Sequence, residues 1–188
     1  VEKTERVKIV REAFPEVEQI RDEALRQAVV DIWATAWETS EWEKLEDCPK
    51  GVELPLAHNL LTHSRAVASF AMSLCEQHRE FNGIAMNRDE VIAIALLHDV
   101  CKLHEFTKTA TGYAKSRIGN IYQHGYLSAH WAQEAGLSEE IVHGLISHTP
   151  LSGVVPQTQE AVLVHYADFA DTDALLLEAG LTLFCKRK

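Results

Sequence analysis

The run VIAIALL at positions 91–97 carries no polar side chain on any side. Asn87 and Glu90, in NRDE just before it, supply an N-cap and a capping box, so the run reads as a helix. A helix that is apolar all round must be covered all round, so the rest of this chain has to wrap it. The same helix then delivers His98, Asp99 and Lys102 within five positions. An imidazole, a carboxylate and an ammonium at the end of a buried helix need partners, because unpaired burial is costly.

The segments available to do the wrapping are helical almost throughout. Pro15 is suited to the first turn of a helix running through Val17, Ile20, Leu25, Val29, Ile32 and Trp33. Trp33, Trp37 and Trp42 read as core or docking residues. EDCPKGVELP, Glu46 to Pro55, reads as a breaker-rich linker. Further helices are expected at about 60–78, 124–135, 138–147 and 158–178, with Gly136 and Gly180 as stops. Thr107–Thr111 and Tyr113–Ser116 suit a small hairpin around Gly112. The segment Phe106 to Asn120 is expected to be a mobile cover over the site. The fold class is all-α, with an N-terminal helical extension and linker over 1–55 and a core over 56–188.

Residues three, four or seven apart share a helix face. His63 then stands in a row with Val67, Phe70 and Leu74, His148 follows Ile141 and Leu145, and Asp168 lies between Val164 and Leu175. His124 begins a helix that continues through Leu127 and Trp131. Each of these alone is most simply a structural residue. Together with His98 and Asp99 they form a donor set suited to a divalent transition metal. Adjacent His98 and Asp99 diverge by about 100° on a helix, so they flank an ion rather than chelate it from one side. The other histidines and Cys101 read as packing or surface residues.

Charge and cysteine usage narrow the setting. A formal charge of −10 disfavours a long nucleic acid as partner, though not a small phosphorylated one. The four cysteines include no close pair, and the longest apolar run is seven residues. A cytoplasmic chain that does not span a membrane is expected, with homo-oligomerisation left open.

His63 in THSRAVASFA, His98–Asp99 in LLHDVCK and Asp168 in VLVHYADFAD resemble the motifs of the HD superfamily of metal-dependent phosphohydrolases. His124 in HGYLSAHWA and His148 in ISHTP are similar to the extra histidines of members that hold two metals. KLHEF and the text around Asp168 look most like the HD domain of YhaM-type 3′–5′ exoribonucleases, without room for their nucleic-acid-binding domain. Cys101 stands where that motif usually has glycine. The resemblance implies an HD-domain helical bundle that hydrolyses a nucleotide, cyclic phosphate or other small phosphoester through metal-activated water. His63, His98, Asp99 and Asp168 would hold one ion, and Asp99 would bridge to a second held by His124 and His148. Manganese, iron, cobalt or nickel is favoured over zinc. Asp99 would also steer the attacking water, and Lys102 would pair with a phosphate oxygen, with Lys115 and Arg117 as further substrate contacts. The resemblance leaves two alternatives: a di-iron oxygenase that uses the same six ligands and iron on an organophosphonate-like substrate, and a non-catalytic binding module.

Overall fold

In a computed structural model, which describes residues 3–186, Asn87 caps α4 (Arg88–Leu97) by accepting a bond from the Glu90 backbone at 3.4 Å. Val91 to Leu97 have no exposed surface at all, as an all-apolar helix requires. Around α4 lie α2 (Glu23–Glu38), α3 (Leu60–Asn82), α8 (Glu139–Ser147) and α9 (Gln159–Glu178). A first helix, α1 (Lys3–Ala13), packs on α2. One continuous core runs from Val10 to Ala167, so residues of the N-terminal extension and of the later helices bury each other.

Helix starts follow the sequence closely. Asn59, Ser138 and Thr158 cap α3, α8 and α9 through side-chain oxygens. The Pro15 reading is corrected: Pro15–Gln19 forms a 3-10 turn, the backbone straightens at Ile20, and Asp22 opens α2 by accepting from Leu25 N at 3.0 Å. An N-cap carboxylate satisfies a free helix N–H, which proline cannot do. The tryptophans lie in the core. Trp33 Nε1 donates to Leu96 O, Trp37 Nε1 to Trp42 O, and Trp42 Nε1 to Leu103 O, all at 2.8–2.9 Å. Two of these bonds satisfy carbonyls in and just after α4, where a helix end leaves them unpaired.

After α4 the chain turns through His98–Cys101 into the short α5 (Lys102–Glu105). Ser128 of α7 (Tyr126–Glu134) staples that turn, donating to His98 O and accepting from Cys101 N, both at 3.1 Å. The hairpin follows as β1 (Phe106–Thr109) and β2 (Gly112–Lys115), antiparallel with Phe106 opposite Lys115, and leads into α6 (Arg117–Ile121). The segment expected to be a mobile cover makes contacts at both ends of the hairpin. Glu41 accepts from Thr107 Oγ1 and Lys108 N, Lys108 pairs with Asp47, and Ser116 bonds the carbonyls of His104 and Glu105. Both strands are therefore anchored to their surroundings.

Candidate metal centre

His98 and Asp99 sit in the turn that ends α4, and neighbouring helices bring the other donors to them. His63 projects from the first turn of α3, Asp168 from the middle of α9, and His148 from the C-cap of α8. His124 precedes Gly125, whose φ of 86° lets the chain reverse into α7. A Cβ on Gly125 would stand 3.0 Å from Leu145 O and 3.3 Å from the His148 ring. Glycine there is what lets the His124 turn lie against α8.

All six sequence-derived ligands thus meet, and His98, Asp99, His63, Asp168 and His148 are at most 5% exposed. His63 Nε2 lies 3.2 Å from both Asp99 Oδ2 and Asp168 Oδ1, and 3.1 Å from His98 Nε2. On the other side of Asp99, its Oδ1 lies 3.0 Å from His124 Nε2 and 3.7 Å from His148 Nε2, and the two imidazole nitrogens are 3.3 Å apart. Asp99 therefore presents one oxygen to each group of histidines.

The tautomers follow from the far sides of the rings. His63 Nδ1 contacts Asp171 at 2.5 Å, His98 Nδ1 contacts Ala95 O at 2.7 Å, and His148 Nδ1 contacts Leu145 O at 2.7 Å. His124 Nδ1 contacts Glu105 at 2.8 Å. Each partner only accepts, so each Nδ1 carries a proton, and any ring that is neutral points an Nε2 lone pair inward. Four Nε2 atoms and two carboxylates packed this closely call for positive charge among them, as protons, neighbouring ammoniums or a metal ion. Rings whose orientations are held from outside in this way could hold a metal ion.

The local electrostatics agree. Burial alone would raise the Asp99 carboxyl, but Lys102, Lys50, His98 and His124 hold it well below the usual carboxylate range. Asp168 is likewise held well below it, burial being outweighed by Lys50 and the neighbouring imidazoles. Burial and the charges at His98 and His124 drive His148 down to about 3, so it stays neutral. Burial also disfavours charge on His124 and His63. At His124 the neighbouring Cys101, Asp99 and Glu105 outweigh it and shift the ring well upward. At His63, hydrogen bonds to three aspartates overcome burial and Lys50 and shift the ring upward. The cluster draws in positive charge from every available source.

A divalent ion fits these residues. The donor atoms of His63, His98, Asp99 and Asp168 all lie within 4.8 Å of one another. Asp99 Oδ1 is buried without a hydrogen-bond partner, although His124 Nε2 is near, so that oxygen awaits a different kind of partner. Cys101 also lies close enough to Asp99 and His124 to complete a three-donor group. Burial pushes its thiol up, so it stays protonated and His148 is the better third donor.

Lys102 does face the site. Its Nζ is 2.7 Å from Asp99 Oδ2 and donates to Lys50 O at 3.0 Å. Lys115 and Arg117 do not join the cluster: both are exposed, at the end of β2 and the start of α6. Three participants escape the sequence reading. Lys50 places its ammonium 2.7 Å from His63 Nε2 and 3.3 Å from Asp99 and Asp168, although it comes from the segment read as a linker. Glu105 and Asp171 orient His124 and His63; their places three residues after Lys102 and Asp168 were the available signal.

Comparison with known proteins agrees with this geometry. A family profile described as HD domain matches residues 60–173. The chain is also similar to the dihydroneopterin 2′,3′-cyclic phosphate phosphodiesterase of Methanocaldococcus jannaschii, with 28% identity over 163 residues. That match covers 82% of this chain and 66% of the relative, so the chain spans just under two thirds of the relative's length. No solved structure gives a significant match.

Proposed function

The chain belongs to the HD-domain family, and from that premise we propose that it is a metal-dependent phosphohydrolase acting on a small phosphoester. The observation that carries this reading is the convergence of four imidazole Nε2 atoms on the two oxygens of one buried carboxylate, Asp99. His63, His98, Asp99 and Asp168 would hold one divalent ion, and Asp99, His124 and His148 a second. Imidazole and carboxylate together suit manganese, iron, cobalt or nickel. Ions bound there would supply a nucleophilic water at neutral pH and offset charge on the phosphoryl oxygens.

The chain's own groups do the rest. Asp99, at the centre, orients the attacking water. Water's oxygen bonds to phosphorus and gives up a proton, the P–O bond to the leaving alcohol breaks, and the leaving oxygen takes up a proton in its place. Lys102 spends two of its three donors on Asp99 and Lys50 O, which leaves one for a phosphoryl oxygen. Approach is from the His124 edge, because that side chain is 17% exposed while those of the other three histidines are 0% exposed.

The relative's name makes a 2′,3′-cyclic phosphate the first substrate to try, ahead of nucleotides and other esters. The di-iron oxygenase alternative finds no support in the comparisons. The test is a panel of 2′,3′-cyclic phosphates, nucleotides and simple monoesters, with chelator-stripped protein reconstituted with manganese or ferrous iron. Metal-dependent release of a ring-opened or dephosphorylated product supports the proposal. A reconstituted protein inert on every phosphoester in the panel contradicts it.

A further inference from the structure

Lys50 lies in a segment folded back on itself. Pro49 pairs with Asn59, Lys50 N donates to His58 O at 3.3 Å, and Leu60 N donates to Cys48 O at 2.9 Å. The Cys48 thiol also contacts Lys102 O at 3.6 Å. The base of the segment is therefore stapled to α3 and α5, while Val52 and Leu56 beyond it are exposed. From this base the Lys50 side chain runs inward until it is only 6% exposed.

Its ammonium has three N–H donors and meets three acceptors: His63 Nε2 at 2.7 Å, Asp99 Oδ2 at 3.3 Å and Asp168 Oδ1 at 3.3 Å. These are three of the four donors assigned above to the first ion. A lysine ammonium and a divalent cation cannot both stand among them, since like charges at such distances repel strongly in a buried site. Lys102 cannot take the same role. It approaches Asp99 from the α5 side, and its second bond is to Lys50 O.

We propose that Lys50 is a stand-in cation for the first metal position. In the unloaded protein it holds the cup of His63, Asp99 and Asp168 together. It withdraws when an ion enters, and its ammonium then binds a phosphoryl oxygen of the substrate at the mouth of the site. A flexible four-carbon stem permits this swing while the stapled backbone stays in place. The proposal rests on the metallohydrolase reading and adds a residue to it. It also gives a reason for a buried lysine among metal donors: the two aspartates stay neutralised when no ion is present.

The test uses chelator-stripped protein and Mn2+ alone. Lys50→Met keeps the length of the side chain and removes its charge. The tightest Mn2+ should then bind about tenfold more strongly, because no charge-assisted hydrogen bond has to be broken first. Inorganic phosphate should bind the Mn2+-loaded variant about tenfold more weakly than the loaded wild type, for loss of one such bond. Lys50→Arg, which keeps the charge, should not gain Mn2+ affinity. In the wild-type protein, amine acylation followed by mass spectrometry should find Lys50 protected without Mn2+ and reactive with it, a readout independent of how any variant folds. Unchanged or weaker Mn2+ binding by Lys50→Met overturns the proposal, as does a Lys50 equally protected in both wild-type states. A wild-type protein that takes up no Mn2+ instead contradicts the metal reading beneath it.

Discussion

Replacing Lys102 by methionine separates the charge of this residue from its packing. Methionine fills a similar unbranched volume, so the change removes an ammonium 2.7 Å from Asp99 and 3.0 Å from Lys50 O without opening a large cavity. Deleting one partner of a buried ion pair costs about 3–5 kcal/mol. Lys50 still lies 3.3 Å from the same Asp99 oxygen, which places the loss near the lower end, about 3 kcal/mol. At about 2–4 °C per kcal/mol for a domain of this size, the chelator-stripped variant should melt about 6–12 °C below the wild type. Saturation with Mn2+ supplies Asp99 with a new counter-charge, so the gap should then shrink to about 1 kcal/mol or less. Metal content should not change, because a protonated lysine cannot ligate. Turnover should suffer in kcat/KM by about tenfold to a hundredfold, the equivalent of one hydrogen bond between charged groups. Thermal unfolding with and without Mn2+, metal analysis and steady-state kinetics measure these three effects. A stripped variant as stable as the wild type, or a variant that loses its metal, would refute this placement of Lys102.

Further outcomes are expected at the surrounding residues. Replacing both His124 and His148 by alanine should remove one metal per chain and leave the ion held by His63, His98, Asp99 and Asp168; an unchanged count would make these histidines packing residues. Glu105→Gln should weaken the second ion by about tenfold to a hundredfold while helical content by circular dichroism stays as it was, since the carboxylate only orients His124. Gly125→Ala forces a side chain onto a φ of 86° and against Leu145 O, and should lower stability by about 1–3 kcal/mol in denaturant titrations. Mn2+ at about a hundred times its dissociation constant should raise stability by about 2.7 kcal/mol, and chelator should reverse the gain.

The residues most legible in sequence were those whose chemistry clashed with their surroundings. His98 and Asp99 stood at the end of a run with no polar residue, and His148 followed Ile141 and Leu145, so their inward direction needed only helical periodicity. The same rule failed for Phe70. It stands seven residues from His63, so periodicity puts the two in one row, yet Phe70 is 44% exposed. The buried arc of α3 is centred near Ser64 and Ala71, with His63 at its edge; Phe70 falls about 20° further out, beyond that edge. Periodicity gives a face but not its boundary, which depends on how α4 and α9 pack against α3. Lys50 was invisible for a different reason. It lies among Pro49, Gly51 and Pro55 in a segment without a period, and its position comes from the bridge to Asn59. Glu105 and Asp171 carry no apolar context of their own, and their role exists only relative to the histidines they orient.

The central claim is that Asp99 joins two divalent ions into one centre that hydrolyses a phosphoester. The measurement closest to it is stepwise Mn2+ titration of stripped protein, with bound metal and turnover of a 2′,3′-cyclic phosphate followed on the same samples. Two ions per chain should bind, with turnover rising as the second equivalent enters and none in the stripped protein. Full turnover without metal, or binding of both ions with no turnover at any occupancy, would contradict it.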